Sequence, residues 1–321
     1  VKQRESELIL RAARLYYEDH HSQDQVASIM GTSRSNISRM LSDAKRLGFV
    51  EIRVVAPITR NNNLSDQLQN LLKISDVQVI TTDKNELTYN AVGRAAANSL
   101  VNALKNNQTI AISWGRGLEA TVINVDSDNF SGLKVTQLMG SLSSVTTPSS
   151  AEEVGRNLAK NLNAQFIPFF APVVVSNQKV RDSMLEEESI AKTLKMARSA
   201  DIALVGIGSR TSASSEMVFS EFKLTKAERD QIYDRYAGDI AARFYDINGQ
   251  TLSTKMDKRV LGLSLEEITA IPRVIGVASG AEKVQGVIGA ARAGILDTLI
   301  VDLVCANSII KSLAPLAVKS A

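Results

Sequence analysis

Residues 23–42, QDQVASIMGTSRSNISRMLS, constrain the fold more than any other stretch of this 321-residue chain. Two apolar sets at helical spacing, Val26, Ala27 and Met30 and then Ile37, Met40 and Leu41, flank Gly31 and Thr32. Glycine supplies the positive φ that a short turn between two helices needs, and Ala27 is small enough for the second helix to cross close. Ser22 and Gln25 have the spacing of a capping box, and Ser33 can cap the second helix. The outward face of that second helix then carries Ser33, Arg34, Ser35, Ser38, Arg39 and Ser42, followed by Lys45 and Arg46, with no carboxylate before Asp43. Such a face suits a DNA major groove, where arginine reads guanine bidentately and serine adapts to several base edges. An ordinary helical hairpin with a solvated face has the same apolar spacing, and the neighbours decide between the two. Leu8, Ala12, Leu15 and Tyr16 predict an amphipathic helix before the pair. After Gly48, the alternation over residues 49–55 predicts the short strand of a winged variant.

The chain is too long for one DNA-reading module and implies a second domain. With 44% hydrophobic and 22% charged residues it reads as a globular protein. No apolar run approaches the roughly 20 residues of a membrane span, and VKQRESELIL contains no signal-peptide core. The single cysteine, Cys305, excludes an intrachain disulfide and a multi-cysteine zinc site. These features together lead us to expect a cytoplasmic protein without a membrane partner. The net charge of +3 says little, but Arg34, Arg39, Lys45 and Arg46 against Asp43 make the positive charge local.

Residues 1–56 form the expected DNA module, and residues 57–75 a linker helix with Leu64, Leu68, Leu71 and Leu72 on one face. That face can pack on its own domain or pair with a partner chain. Residues 76–321 form the expected effector domain. Strands are predicted at 77–80, 109–113, 134–138, 165–170, 202–207, 274–277 and 298–301. Helices are predicted at 90–104, 118–125, 151–162, 187–198, 265–270, 281–293 and 305–313. Short Val- and Ile-rich strands alternating with helices imply an α/β domain whose mostly parallel sheet is covered on both faces.

Ligands of open α/β sheets bind beyond the carboxyl ends of the strands. Glycine turns gather there: Trp114-Gly115-Arg116-Gly117, Met139-Gly140-Ser141, Gly208-Ser209-Arg210 and Ser279-Gly280-Ala281-Glu282-Lys283. A glycine turn that opens a helix offers unspent N–H groups and the positive dipole end to an anion such as phosphate. Arg116 and Lys283 can add charge-assisted bonds, and Asp239 can accept from sugar hydroxyls. Each turn alone can be a mere βα connection, but four at strand ends point to a shared anionic-ligand pocket. None is a Walker A loop, and WGRG lacks the third glycine of a dinucleotide fingerprint, which disfavours nucleotide cofactors. Both histidines, His20 and His21, lie in the N-terminal module, so the second domain can build neither a histidine-based triad nor a histidine metal cluster. A binding domain without cofactor or metal is expected, not an enzyme.

The segments RAARLYYEDHHSQDQVASIMGTSRSNISRML, AISWGRGL, VTQLMGS, DIALVGIGS, GDIAARFYDINGQ, RVLGLSLEEI and GVASGAEKVQGVIGA follow one another along nearly the whole chain. In that order they resemble the SorC/DeoR-type bacterial sugar-responsive transcriptional regulators. The resemblance implies a helix-turn-helix domain before a Rossmann-like effector domain similar to phosphosugar isomerases and deaminases. It further implies operator DNA as partner, a phosphorylated sugar or polyol as effector, and a homo-oligomer, dimer or tetramer. Carried over by motif, the effector contacts fall on Gly115, Arg116, Gly117, Gly140, Ser141, Gly208, Asp239 and Lys283. Met139 stands where some members place a lysine able to form a Schiff base, and a thioether cannot do that chemistry. The alternative is a phosphosugar isomerase or deaminase carrying a DNA module, against which the absence of histidine from residues 57–321 counts.

Overall fold

A computed structural model of the chain describes residues 3–50, 57–82, 88–127, 129–142, 150–252 and 254–314. Residue contacts divide the chain into two compact units, Val1–Pro57 and Ile58–Ala321. Among the described residues, the first holds three helices, α1 (Gln3–Tyr17), α2 (Gln23–Met30) and α3 (Arg34–Arg46). Ser22 and Gln25 make the reciprocal capping box of α2, and Gly31, at φ 64°, ends it in the left-handed conformation. Ser33 then caps α3 through the Asn36 N–H. Val26, Ala27, Ile37, Leu41 and Ala44 close the core between them. On α1 the buried stripe differs from expectation. Ile9, Ala12 and Ala13 are buried, whereas Leu8 is 42% exposed, because the face that meets α2 and α3 begins one residue later. The expected wing strand, from residue 51 onward, lies outside the described residues.

The second unit begins with β1 (Thr59–Arg60) and α4 (Asn62–Leu72). Asn61 caps α4, and the helix turns Leu68 and Leu72 into the same core as Val77 and Val79, with Leu64 packed against it. Of the expected leucine stripe only Leu71 stays exposed, so this helix is part of the second unit's packing and not a separate linker. The strands that follow are β2 (Asp76–Thr81), β3 (Thr109–Ile112), β4 (Lys134–Gln137), β5 (Gln165–Ile167), β6 (Ile202–Gly206), β7 (Gly238–Ile240), β8 (Arg243–Tyr245), β9 (Val274–Ala278) and β10 (Thr298–Asp302). Eight of the ten strands form one sheet in the order β1-β2-β10-β9-β6-β3-β4-β5, parallel throughout except for β1. The period of two explains the apolar runs. Ile110, Ile112, Ile202, Leu204 and Ile300 enter the core on one face, and Ala111, Ala203, Val205, Leu299 and Val301 the core on the other.

All seven strands read from the sequence are present, with no end more than three residues from its expected place. The segment between Gly208 and Leu263, read without elements, contains helices Ala213–Glu221, Lys226–Tyr233 and Thr254–Asp257 and the hairpin β7–β8. A further helix, Gln178–Glu186, was also unexpected.

Strand order reverses between β3 and β6. From β3 the chain moves outward to β4 and β5, and from β6 it moves the other way to β9 and β10. This is the topological switch point of a Rossmann-like sheet. Two helices descend beside it, α5 (Thr88–Ala103) and α6 (Arg116–Ile123). They cross at Gly93, where an added Cβ would stand 2.5 Å from the backbone of Ala120. Gly93→Ala must therefore push the helices apart, and we expect a loss of about 1–3 kcal/mol in stability, read as a lower denaturation midpoint at unchanged m-value. An unaltered midpoint would mean that the crossing is looser than described.

Candidate functional site

At the switch point the carboxyl ends of β3, β6 and β9 enclose a cavity lined by Trp114, Gly115, Arg116, Gly117, Gly208, Asp239, Ser279, Lys283, Tyr89 and Ser214, among others. Its volume is ≈ 40 Å³, room for a few water molecules. Six of the eight effector residues named above meet here. Gly140 and Ser141 do not. The Gly140 N–H donates to the Leu261 carbonyl at 2.9 Å and the Ser141 N–H to the Ala171 carbonyl at 2.9 Å. A Cβ on Gly140 would also collide with the Ala171 carbonyl oxygen. This glycine thus serves close packing against the loop after β5, not ligand approach. Met139 is likewise turned into the core and paired with Gly262.

The N–H groups of the remaining turns differ in what they have left to give. At the start of α6, Gly115 takes φ 118° and no side chain caps the helix. Among the described residues, the N–H groups of Gly115, Arg116 and Gly117 have no partner, as the geometry of a helix start leads one to expect. Gly208 lines the cavity, but its N–H donates to the Asp239 carbonyl at 2.8 Å. Gly280 is spent too. Asp302, at the end of β10, takes the Gly280 N–H at 2.8 Å and the Ser279 hydroxyl on one oxygen, and the Cys305 N–H at 2.6 Å on the other. The donors available to an anion are therefore concentrated at α6.

Asp239 and Lys283 are only 4% and 8% exposed. Asp239 accepts from the Tyr236 hydroxyl at 2.5 Å. Burial pushes its carboxyl above the usual carboxylate range, against hydrogen bonds from Ser215 and Tyr236 and the charge of Lys283, all of which pull it down. Burial likewise lowers the Lys283 ammonium, opposed by Asp239 and Glu282 and reinforced by Arg116. In both partners desolvation outweighs their mutual attraction. Asp239 was expected to wait for sugar hydroxyls, yet part of its hydrogen-bonding capacity is already taken by its own chain. Tyr89, Trp114, Ser214 and Asp302 were missed in the sequence. Trp114 had a signal, since it stands inside the WGRG turn, but the others lie on elements whose proximity only the fold creates.

A larger groove of ≈ 890 Å³ runs past Phe222, Ile232, Lys255, Met256 and Arg259. Three of its cations, Arg235, Lys255 and Arg259, are engaged within the chain. The Arg259 guanidinium donates to the Val175 and Phe222 carbonyls, and Lys255 pairs with Glu228 at 2.8 Å. The switch-point cavity, with unspent donors beside two cations, is the better candidate. Among the described residues no group of three or more His, Cys, Asp or Glu could hold a metal ion, and no helix is long and apolar enough to cross a membrane.

The eight DNA-reading candidates, Ser33, Arg34, Ser35, Ser38, Arg39, Ser42, Lys45 and Arg46, are all exposed along α3 and its capping residue. Arg39 donates to Asn36 at 3.0 Å, Arg34 stands 3.7 Å from Asp24, Arg46 pairs with Asp43 at 2.8 Å, and Lys45 lies 6.0 Å over the Tyr17 ring. Solvent-exposed pairs of this kind are weak and easily exchanged for other partners.

The raised Asp239 carboxyl has a consequence for stability. The folded chain keeps this proton to higher pH than the unfolded chain does, so the contribution of Asp239 to stability falls as pH rises above about 4 and is flat below it. Asp239→Asn keeps an acceptor for Tyr236 and removes the ionisation. Paired thermal melts should show the variant gaining on the parent as pH rises from about 4 toward neutrality. A constant difference across that range would mean that Asp239 titrates normally.

The comparisons with known proteins agree with this architecture. Residues 56–311 match the family described as "Putative sugar-binding domain". The deoxyribonucleoside regulator of Bacillus subtilis is 28% identical over 312 residues, covering 96% of this chain and 98% of that protein. The sorbitol operon regulator of Klebsiella pneumoniae is also 28% identical, over 95% of this chain and 98% of its own. The crystal structure of the full-length sorbitol operon regulator SorC from Klebsiella pneumoniae superposes with a TM-score of 0.71 at 26% identity, covering 94% of this chain and 97% of that one. With the matching residues spanning most of its length, the chain belongs to the sugar-binding domain family, and relatives named as sugar-operon regulators, SorC among them, share its architecture.

Proposed function

We propose that the protein is a transcriptional regulator of a carbohydrate operon whose DNA binding is set by a phosphorylated sugar or polyol. The observation that carries this reading is the start of α6, where three N–H groups without partners stand beside Arg116 and near Lys283. The carboxylate among the described lining residues, Asp239, carries its charge reluctantly. A dianionic phosphate needs several donors at once when it leaves water, and this corner supplies them. The relatives' names, a deoxyribonucleoside regulator and a sorbitol operon regulator, support a sugar-derived effector.

A ligand acts on the DNA-binding equilibrium only by binding one arrangement of the protein better than another. Titration calorimetry should give sorbitol 6-phosphate or 2-deoxyribose 5-phosphate about tenfold or more tighter binding than its unphosphorylated form. Equal affinity within every such pair would remove the phosphate site.

At the other end of the chain, α3 would enter the major groove with Arg34 and Arg39 toward base edges and Lys45 and Arg46 toward the backbone. One helix reads too few base pairs for useful specificity, so the reading requires at least two copies on paired half-sites. Footprinting should show protection one helical turn apart. Arg39→Ala should cost roughly 1–3 kcal/mol and relax preference at one position of each half-site. Unchanged affinity and pattern in both Arg34→Ala and Arg39→Ala would count against the assignment of α3.

A further inference from the structure

The Arg116 guanidinium lies 5.2 Å from the centroid of the Tyr89 ring. Tyr89 is half-buried in the first turn of α5, and the same ring lines the cavity. The geometry points to a role for Tyr89 that no motif suggested: it is the positioning residue that presents Arg116 to the anionic end of the ligand. This inference rests on the phosphate reading and adds to it the means by which the cation is held.

Gly93 stands four residues after Tyr89, and Ala120 four residues after Arg116, so each pair shares a helix face. Both helices start at the carboxyl edge of the sheet, and where Gly93 meets Ala120 they are as close as two helices can be. One turn nearer their N-termini, Tyr89 is thereby brought over Arg116. The contact depends on backbone packing and not on a flexible loop.

Next comes what the contact leaves available. A stacked arginine uses the face of its guanidinium, while its five N–H donors lie in the plane and remain exposed at the edge. Arg116 makes no hydrogen bond or ion pair among the described residues. A carboxylate partner would have occupied the donors that an anion needs and offset the positive charge. An aromatic partner does neither. It restricts a long side chain, which would otherwise lose rotamer freedom on binding, at the point where its donors join the N–H groups of Gly115 and Gly117. The charge of Arg116 also reaches across the cavity, where it disfavours the charged form of Lys283. The two cations therefore act on one space.

The chain contains a single tryptophan, and Trp114 lines this cavity, so its fluorescence reports occupancy. The probe is inorganic phosphate, titrated into the full chain, with calorimetry as a second readout. Tyr89→Phe retains the ring and should bind phosphate as the parent does. Tyr89→Leu should bind about two- to fivefold more weakly, with its melting temperature little changed because the residue is half-exposed. In an Arg116→Gln background, Tyr89→Leu should have no further effect, the mark of two residues acting as one unit. Equal weakening by Tyr89→Phe and Tyr89→Leu would assign the contact to the hydroxyl and overturn the inference. An undiminished Tyr89→Leu penalty in the Arg116→Gln background would overturn it too. If the parent protein gives no response to phosphate, the phosphate reading itself fails. If the parent responds and Tyr89→Leu binds equally well, only the role of Tyr89 falls.

Discussion

The cavity depends on how closely the chain approaches itself at the carboxyl ends of β3 and β6. A Cβ on Gly206 would stand 2.7 Å from the Trp114 carbonyl oxygen, one on Gly238 would stand 2.5 Å from the Gly286 Cα, and one on Gly208 would overlap the Asp239 carboxylate. Without a side chain at these three positions, Asp239 can lie directly behind the strand ends, shielded from water. That shielding raises its carboxyl, while across the cavity the burial of Lys283 itself lowers its ammonium. Close backbone approach thus sets the electrostatics as well as the shape. Arg116, by contrast, is exposed at the rim.

The sheet was legible in the sequence because both of its faces are covered. Strands buried on two sides become continuous apolar runs, and IAIS, IALVG and VIGVA stand out against the polar turns that follow them. The α2 and α3 pair was legible because its signals are local: a capping box, a left-handed glycine and a capping serine lie within a dozen residues. The segment after Gly208 carries weaker signals. Helix Lys226–Tyr233 buries no residue and so shows no apolar stripe. Hairpin β7–β8 turns on Ala241 and Ala242, both at positive φ, instead of the Asn-Gly or Asp-Gly pair that marks such turns.

The candidate site was legible only as residue types at strand ends. The sequence shows that glycine turns follow β3, β4, β6 and β9, but not which of their N–H groups are already bonded. Gly140 bonds across to Leu261, Gly208 to Asp239 and Gly280 to Asp302. Each of these partners lies more than 20 residues further along the chain, beyond any local pattern. Tyr89 is hidden for the same reason, since its relation to Arg116 passes through the crossing of two helices.

The uneven distribution of donors has a further consequence for the proposed ligand. With Gly208 and Gly280 spent, the anionic end belongs at the start of α6, beside Arg116, where unpartnered N–H groups and the positive end of the helix dipole coincide. The uncharged end of the proposed ligand would then face Asp239 and Ser214. There each sugar hydroxyl must compete with a hydrogen bond the protein already makes, because Tyr236 and Ser215 hold the carboxylate in place. An anchored phosphate supplies binding energy that does not depend on which sugar carries it. On the proposed reading, discrimination among sugars would fall to the Asp239 side, where a misplaced hydroxyl leaves a buried group unpaired.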